Sequence, residues 1–245
     1  MNINVIKYCV LTMAINFVIT QHVQANTQVV SINNSNTSIE QPTANMPKLA
    51  SSEAKQILRA KLENLAHFTA DFSQEVHSVS GEKIAQSAGN LAISKPNLAN
   101  WHTTEPDELA IVSDGTNVWF YDPWIEQVSV YSLSAAIAKT PILLLTSKDE
   151  NLWEQYTVTK ENKTEEVSDR FVISAKDTNS QIKSLTLIFE TNKGNSNLAQ
   201  FSFLDATGQL SHIKLSNFED QVIPKASLFQ FVVPTGVQID DQRSE

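Results

Sequence analysis

"LAIVSDGTNVWFY", residues 109–121, decides how this chain folds. Asp114-Gly115 is a tight-hairpin signal. It lies between two runs, Leu109–Ser113 and Asn117–Tyr121, built from the β-branched and aromatic residues that fill strands. The pattern recurs outward in both directions. Upstream, Phe68, Ala70, Phe72, Gln74 and Val76 alternate along one face, a polar turn follows at Ser80-Gly81, and Gly89, Leu91 and Ile93 alternate again. Downstream, Asp122-Pro123 opens a turn before Val128 and Val130. The carboxyl half adds strand patterns at Tyr156–Lys160, Arg170–Ala175, Ser184–Glu190, Leu198–Asp205, Gln209–Ser216 and Leu228–Val233, with a hairpin signal at Thr207-Gly208. About ten or eleven short strands without a long βαβ crossover predict a mainly β protein with some α. The expected architecture is one antiparallel sheet curled into a barrel or half barrel.

Two segments depart from the strand pattern. Ser51 or Ser52 is placed to cap a helix, Glu53 suits its positive end, and Ile57, Leu58, Leu62 and Leu65 follow at helical spacing. The opposite stripe carries Lys55, Arg59, Lys61 and Glu63, so this N-terminal helix lies on something. The second segment, Leu133–Ser147 ("LSAAIAKTPILLLTS"), reads as two short helices, with Thr140-Pro141 as an N-cap and N1 pair. Pro141–Leu145 is apolar on every side and must be covered on both faces.

The ends of the chain read differently. Residues 1–25 carry one charge, Lys7, an apolar run from Tyr8 to Ile19 and small residues at Val23 and Ala25, as in a cleaved export signal. The apolar run is shorter than the roughly 20 residues a spanning helix needs. Residues 26–47 are rich in Asn, Ser, Thr and Gln, with two prolines and no apolar period, and read as a disordered polar arm. The domain is expected at 48–245. The one cysteine, Cys9, lies in the leader, so the exported chain must be stabilised by its core without disulfides. Removing Lys7 takes 18 basic residues to 17 against 27 acidic ones, a net charge of −10 that disfavours nucleic acid and anionic membrane surfaces.

Enzyme chemistry is hard to find. His67, His77, His102 and His212 make no H-x-x-x-H pair, and there is no G-x-S-x-G elbow, no thiol outside the leader and no glycine-rich phosphate loop among six glycines. Asp107-Glu108 and Glu165-Glu166 are adjacent acids in turn contexts, which suits solvated loops. No enzyme, metal or cofactor is expected. What stands out is an apolar surplus: Val118, Trp119, Phe120 and Tyr121 cover both faces of one strand, with Trp124 and Trp153 nearby in sequence. A filled core and the wall of a ligand cavity both accommodate it.

The sequence resembles a known family. "ISKPNLANWHTTEPDELAIVSDGTNVWFYDPWIEQVSVYSL" (93–133), "TPILLL" (140–145) and "FVVPTGVQIDDQR" (231–243) are similar, in that order, to the periplasmic outer-membrane lipoprotein carrier proteins, the LolA family. The likeness runs from about Ala50 to Arg243. The resemblance implies an unclosed β-barrel whose apolar cavity is covered by a helical lid at about 133–147. It also implies a monomeric periplasmic shuttle, with no stable membrane insertion. Its cargo would be acylated lipoproteins, taken from an inner-membrane ABC transporter and handed to an outer-membrane receptor lipoprotein. By the same resemblance Lys95 is the lid latch, hydrogen-bonded to lid backbone. Members usually carry arginine there and often an aromatic at the place of Ala99, so the latch is expected to be weaker or re-aimed. Candidates for the acyl-binding wall are Leu91, Ile93, Trp101, Ile111, Trp119 and Tyr121, with Ile137, Ile142 and Leu144 from the lid. Two alternatives are a periplasmic lipoprotein-sensing or regulatory domain of the same fold group and a secreted hydrolase.

Overall fold

The computed structural model describes residues 51–137, 140–161, 168–192 and 195–243. The expected leader and polar arm lie outside these residues. Helix α1, Ser51–Asn64, has Glu53 in its first turn and Lys61 in its last, complementing the helix dipole. Ala54, Leu58 and Leu62, four residues apart, form its buried stripe.

Twelve strands follow: β1 His67–His77, β2 Lys83–Ser94, β3 Leu98–Glu105, β4 Leu109–Asp114, β5 Asn117–Asp122, β6 Gln127–Ser132, β7 Tyr156–Glu161, β8 Ser168–Ala175, β9 Ile182–Asn192, β10 Asn195–Asp205, β11 Leu210–Glu219 and β12 Gln238–Asp241. They form one sheet in the order β12-β6-β5-β4-β3-β2-β1-β11-β10-β9-β8-β7. Its terminal strands do not pair with each other, so the barrel stays open.

β4 and β5 pair as the hairpin expected at Asp114-Gly115. Asp114 accepts from the backbone N–H groups of Thr116 (2.9 Å) and Asn117 (2.7 Å), and Gly115 takes the positive φ of 93° that the turn requires.

Two strand expectations need correction. The sheet is mixed, because β12 runs parallel to β6, while every other pairing is antiparallel. Leu228–Val233 is not a strand. Ala226–Phe229 forms a 3-10 turn, residues 230–234 lie in no strand, and a turn at Thr235-Gly236 leads into β12. Two aromatic side chains of that segment, Phe229 and Phe231, make it a strap on the sheet's outer face. Phe229 is buried, Asn100 on β3 donates through Nδ2 to the Leu228 carbonyl (2.5 Å), and Phe231 packs on Trp119 and Tyr121.

Between β6 and β7 the chain makes helix α2 (Leu133–Ile137), a 3-10 helix (Pro141–Leu145) and helix α3 (Glu150–Glu154). The second expected helix is thus 3-10, as suits a five-residue segment. Thr140 occupies its N-cap position but makes no side-chain cap bond. Its Oγ1 is buried without a partner.

Candidate functional site

The concave face of the sheet is lined by alternate residues of successive strands. Phe68 and Phe72 from β1, Leu91 and Ile93 from β2, Trp101 from β3 and Ile111 from β4 all enter one apolar cluster. The register accounts for this, since Ala70 faces Leu91, Leu91 faces Trp101 and Trp101 faces Ile111 across neighbouring strands. Trp101 sits at the centre. Its ring lies 4.2 Å from Phe72 and 6.0 Å from Phe201, and its Nε1 donates to Thr103 Oγ1 (3.2 Å).

Residues of the 133–147 segment, the expected lid, cover this face. Ile137, Ile142, Leu143, Leu144 and Leu145 belong to the same cluster, each 7% exposed or less, and α1 adds Ala54, Leu58 and Leu62. A short segment apolar all round is therefore buried on all sides, and its own hydrogen bonds are few. Leu143 N donates to Thr140 O (3.0 Å), Thr146 N to Leu143 O (3.1 Å), and Thr146 Oγ1 to the same carbonyl (2.8 Å). Two backbone bonds tie the lid's ends to strand turns: Leu133 N to Thr116 O (3.0 Å) and Asn97 N to Thr146 O (3.5 Å).

Of the nine wall candidates, Leu91, Ile93, Trp101, Ile111, Ile137, Ile142 and Leu144 come together in this cluster. Trp119 and Tyr121 do not. They lie on the outer face, each 5.6 Å from Phe231 of the strap, and Trp119 Nε1 donates to Asp114 Oδ2 (3.1 Å). Their neighbours Val118 and Phe120 point inward instead, with Tyr131 directly across from Val118. The strand is apolar throughout because both of its faces are covered, so its sequence carries no alternation to read. The sequence reading also passed over Phe171, Phe201, Phe203 and Ile213, which supply the other half of the wall. The signal was present in Phe201 and Phe203, which alternate with serine in "FSF".

Lys95 is re-aimed. Its ammonium donates to the carbonyl of Leu62 at the end of α1, and its backbone N–H donates to Ala66 O (2.8 Å), where lid carbonyls had been expected as acceptors. The reason is position: the β2–β3 turn lies between the end of α1 and the end of the lid, and the partially negative C-terminal end of α1 faces it there, with Leu62 O also accepting from Leu65 N (3.0 Å). The turn still reaches the lid, through the Asn97 N–H. Burial, then the nearby Lys148 charge, lowers the Lys95 ammonium to about 8, partly opposed by Glu63. Because the folded value lies below the ordinary 10.5, the unfolded chain holds a proton that the folded one lacks between about pH 8 and 10.5. Stability from this group therefore rises with pH across that window. Denaturation midpoints of wild type and Lys95→Met should show a stability difference that moves in favour of the wild type from pH 8 to pH 10.5. A pH-independent difference would contradict the burial of the ammonium.

His77, His102 and His212 lie apart from the apolar site. His102 Nε2 meets Glu108 at 3.0 Å on the surface, and His77 and His212 are in edge contact at 5.5 Å. Among the described residues no three His, Cys, Asp or Glu side chains converge as metal ligands, and no helix is long and apolar enough to cross a membrane.

The family model for the outer membrane lipoprotein carrier protein LolA matches residues 63–232, which include the lid, Lys95 and all nine wall candidates. An outer-membrane lipoprotein carrier protein of Psychromonas ingrahamii is 40% identical over 191 residues, 77% of this chain and 87% of that protein. Another, of Aeromonas salmonicida, is 35% identical over 191 residues, 78% of this chain and 90% of that protein. Among solved structures, a LolA superfamily protein of Nitrosomonas europaea is 14% identical with a TM-score of 0.45, covering 73% of this chain and 97% of that one.

Proposed function

The chain belongs to the outer membrane lipoprotein carrier family LolA, and from that membership we propose that it is a periplasmic carrier of acylated lipoproteins. It receives them from an inner-membrane ABC transporter, shields their acyl chains between the concave sheet face and the lid, and releases them to an outer-membrane receptor lipoprotein. It performs no covalent chemistry. The observation that carries this reading is the lid: five apolar positions at 137 and 142–145, held over an open apolar sheet mainly by side-chain packing.

The energetics of such a carrier follow from acyl chains. Each buried methylene is worth about 0.8 kcal/mol, so a lipoprotein does not leave a bilayer unaided. The sequence carries no nucleotide-binding motif, so loading is driven by the donor. Release then requires that the carrier bind its cargo less tightly than the acceptor does. A lid that fills its own site supplies that weakness, because ligand must first displace the lid's contacts. The apparent affinity falls by the fraction of open molecules.

Depletion of the protein in its host tests the role. Lipoproteins destined for the outer membrane should accumulate in the inner membrane. An unchanged lipoprotein distribution would overturn the carrier reading and favour a lipoprotein sensor of the same fold.

A further inference from the structure

Beside the lid lies a pocket of about 380 Å³, between the end of α1, the β2–β3 turn and α3. Leu62, Leu145 and Trp153 give it apolar walls, and Arg59, Lys95 and Lys148 line it with cations against a single lining carboxylate, Glu63. On a chain with 18 basic and 27 acidic residues the lining carries three cations to one carboxylate, with Glu150, paired to Arg59, and Asp149 just outside it. Two of the cations are committed: Arg59 to Glu150, and Lys95 to the Leu62 carbonyl. Lys148 is exposed and makes no hydrogen bond or ion pair among the described residues, and its charge acts unfavourably on Lys95.

We propose that this pocket binds the phosphate head group of an anionic lipid monomer, and that occupancy loosens the adjoining end of the lid. An anion between Lys95 and Lys148 relieves their mutual repulsion and gives Lys148 the partner it lacks. The apolar walls favour an amphiphile over a free anion or an acidic peptide, since Leu145 and Trp153 then meet the first methylenes of a chain. The volume admits a head group and the beginning of one chain, and Leu145 is itself the last residue of the lid's 3-10 helix. The link to the lid is short. Thr146 follows Leu145, and its carbonyl accepts the 3.5 Å bond from Asn97 that fastens the lid's end. The proposal deepens the carrier reading and rests on residues 133–147 acting as a lid.

The test uses dioctanoyl phosphatidylglycerol below its micelle concentration, titrated into the purified protein and followed by backbone amide NMR shifts. Shifts are expected at residues 59–66, 95–97 and 145–153, with faster amide exchange at 142–145. Affinity should be about tenfold or more above that for dioctanoyl phosphatidylcholine, and Lys148→Glu should remove that preference. Equal affinity for the two lipids overturns the proposal. So do an unchanged preference in Lys148→Glu and shifts confined to inner-face residues such as Phe120. If inorganic phosphate binds as tightly as the lipid, the site belongs to a free anion and the amphiphile is excluded. Each of these failures leaves the carrier reading standing, because that reading is tested separately by lipoprotein distribution and by cargo contact with the concave face.

Discussion

Leu143→Ala is expected to raise the apparent affinity for an acylated peptide by about tenfold or more while lowering the melting temperature. Leu143 is fully buried, at 0% exposure, in the middle of the lid. Truncating such a leucine costs about 2–5 kcal/mol in lost burial and residual cavity. If the lid opens as a unit, most of that cost falls on the closed form and little on the open form, whose lid is already displaced. Each 1.4 kcal/mol by which the gap shrinks then raises the open fraction, and with it the apparent affinity, about tenfold until the open form dominates. Handover to an acceptor should slow correspondingly, since the cargo is held more tightly. A fluorescent acyl-peptide titration reads the effect. Unchanged or weakened binding together with a lowered melting temperature would show that Leu143 is ordinary core, with no competing role.

Gly89→Ala is expected to lower stability by about 3 kcal/mol or more, toward the upper end for overpacked sites. Gly89 lies on β2 opposite Phe72, where the pairing with β3 shifts register. A Cβ there would sit 2.0 Å from the His102 carbonyl oxygen and 2.8 Å from the Thr103 Cα. Both are backbone atoms of the neighbouring strand, so no rotamer change relieves the clash and β3 itself must move. Trp101, next to His102, stands at the centre of the concave face, so the same shift disturbs the apolar wall there. For a chain of this size the loss corresponds to a fall in melting temperature of about 6 °C or more. A fall under about 2 °C would mean that β2 and β3 are less tightly apposed than the structure has them.

These two residues also illustrate what the sequence reveals. The lid was legible because Pro141–Leu145 has no polar side from which to be solvated, so burial was forced. The β4–β5 hairpin was legible because Asp114-Gly115 specifies a turn chemically. The facing of β5 was not, since all four residues 118–121 are apolar: the strap's Phe231 half-covers Trp119 and Tyr121 on the outer face, while the core buries Val118 and Phe120. Nor was β12, whose "QIDD" lacks strand-forming composition and gains its place only by parallel pairing to residues 127–130, more than a hundred positions earlier. The acceptor of Lys95 is a main-chain carbonyl, and every residue offers one. Which carbonyl it meets depends on how α1 docks, a tertiary fact that side-chain identities at 95–101 do not encode.

The central claim is that acyl chains lie on the concave face beneath the lid, and adjacent residues of β5 test it most directly. A photo-crosslinking side chain placed at Phe120, which points inward, or at Trp119, which points outward beneath the strap, differs by one position in sequence and by the whole thickness of the sheet in space. The structure predicts crosslinks to bound lipoprotein from position 120 and none from position 119. Crosslinks from 119 with none from 120 would place the cargo on the outer face and contradict the account.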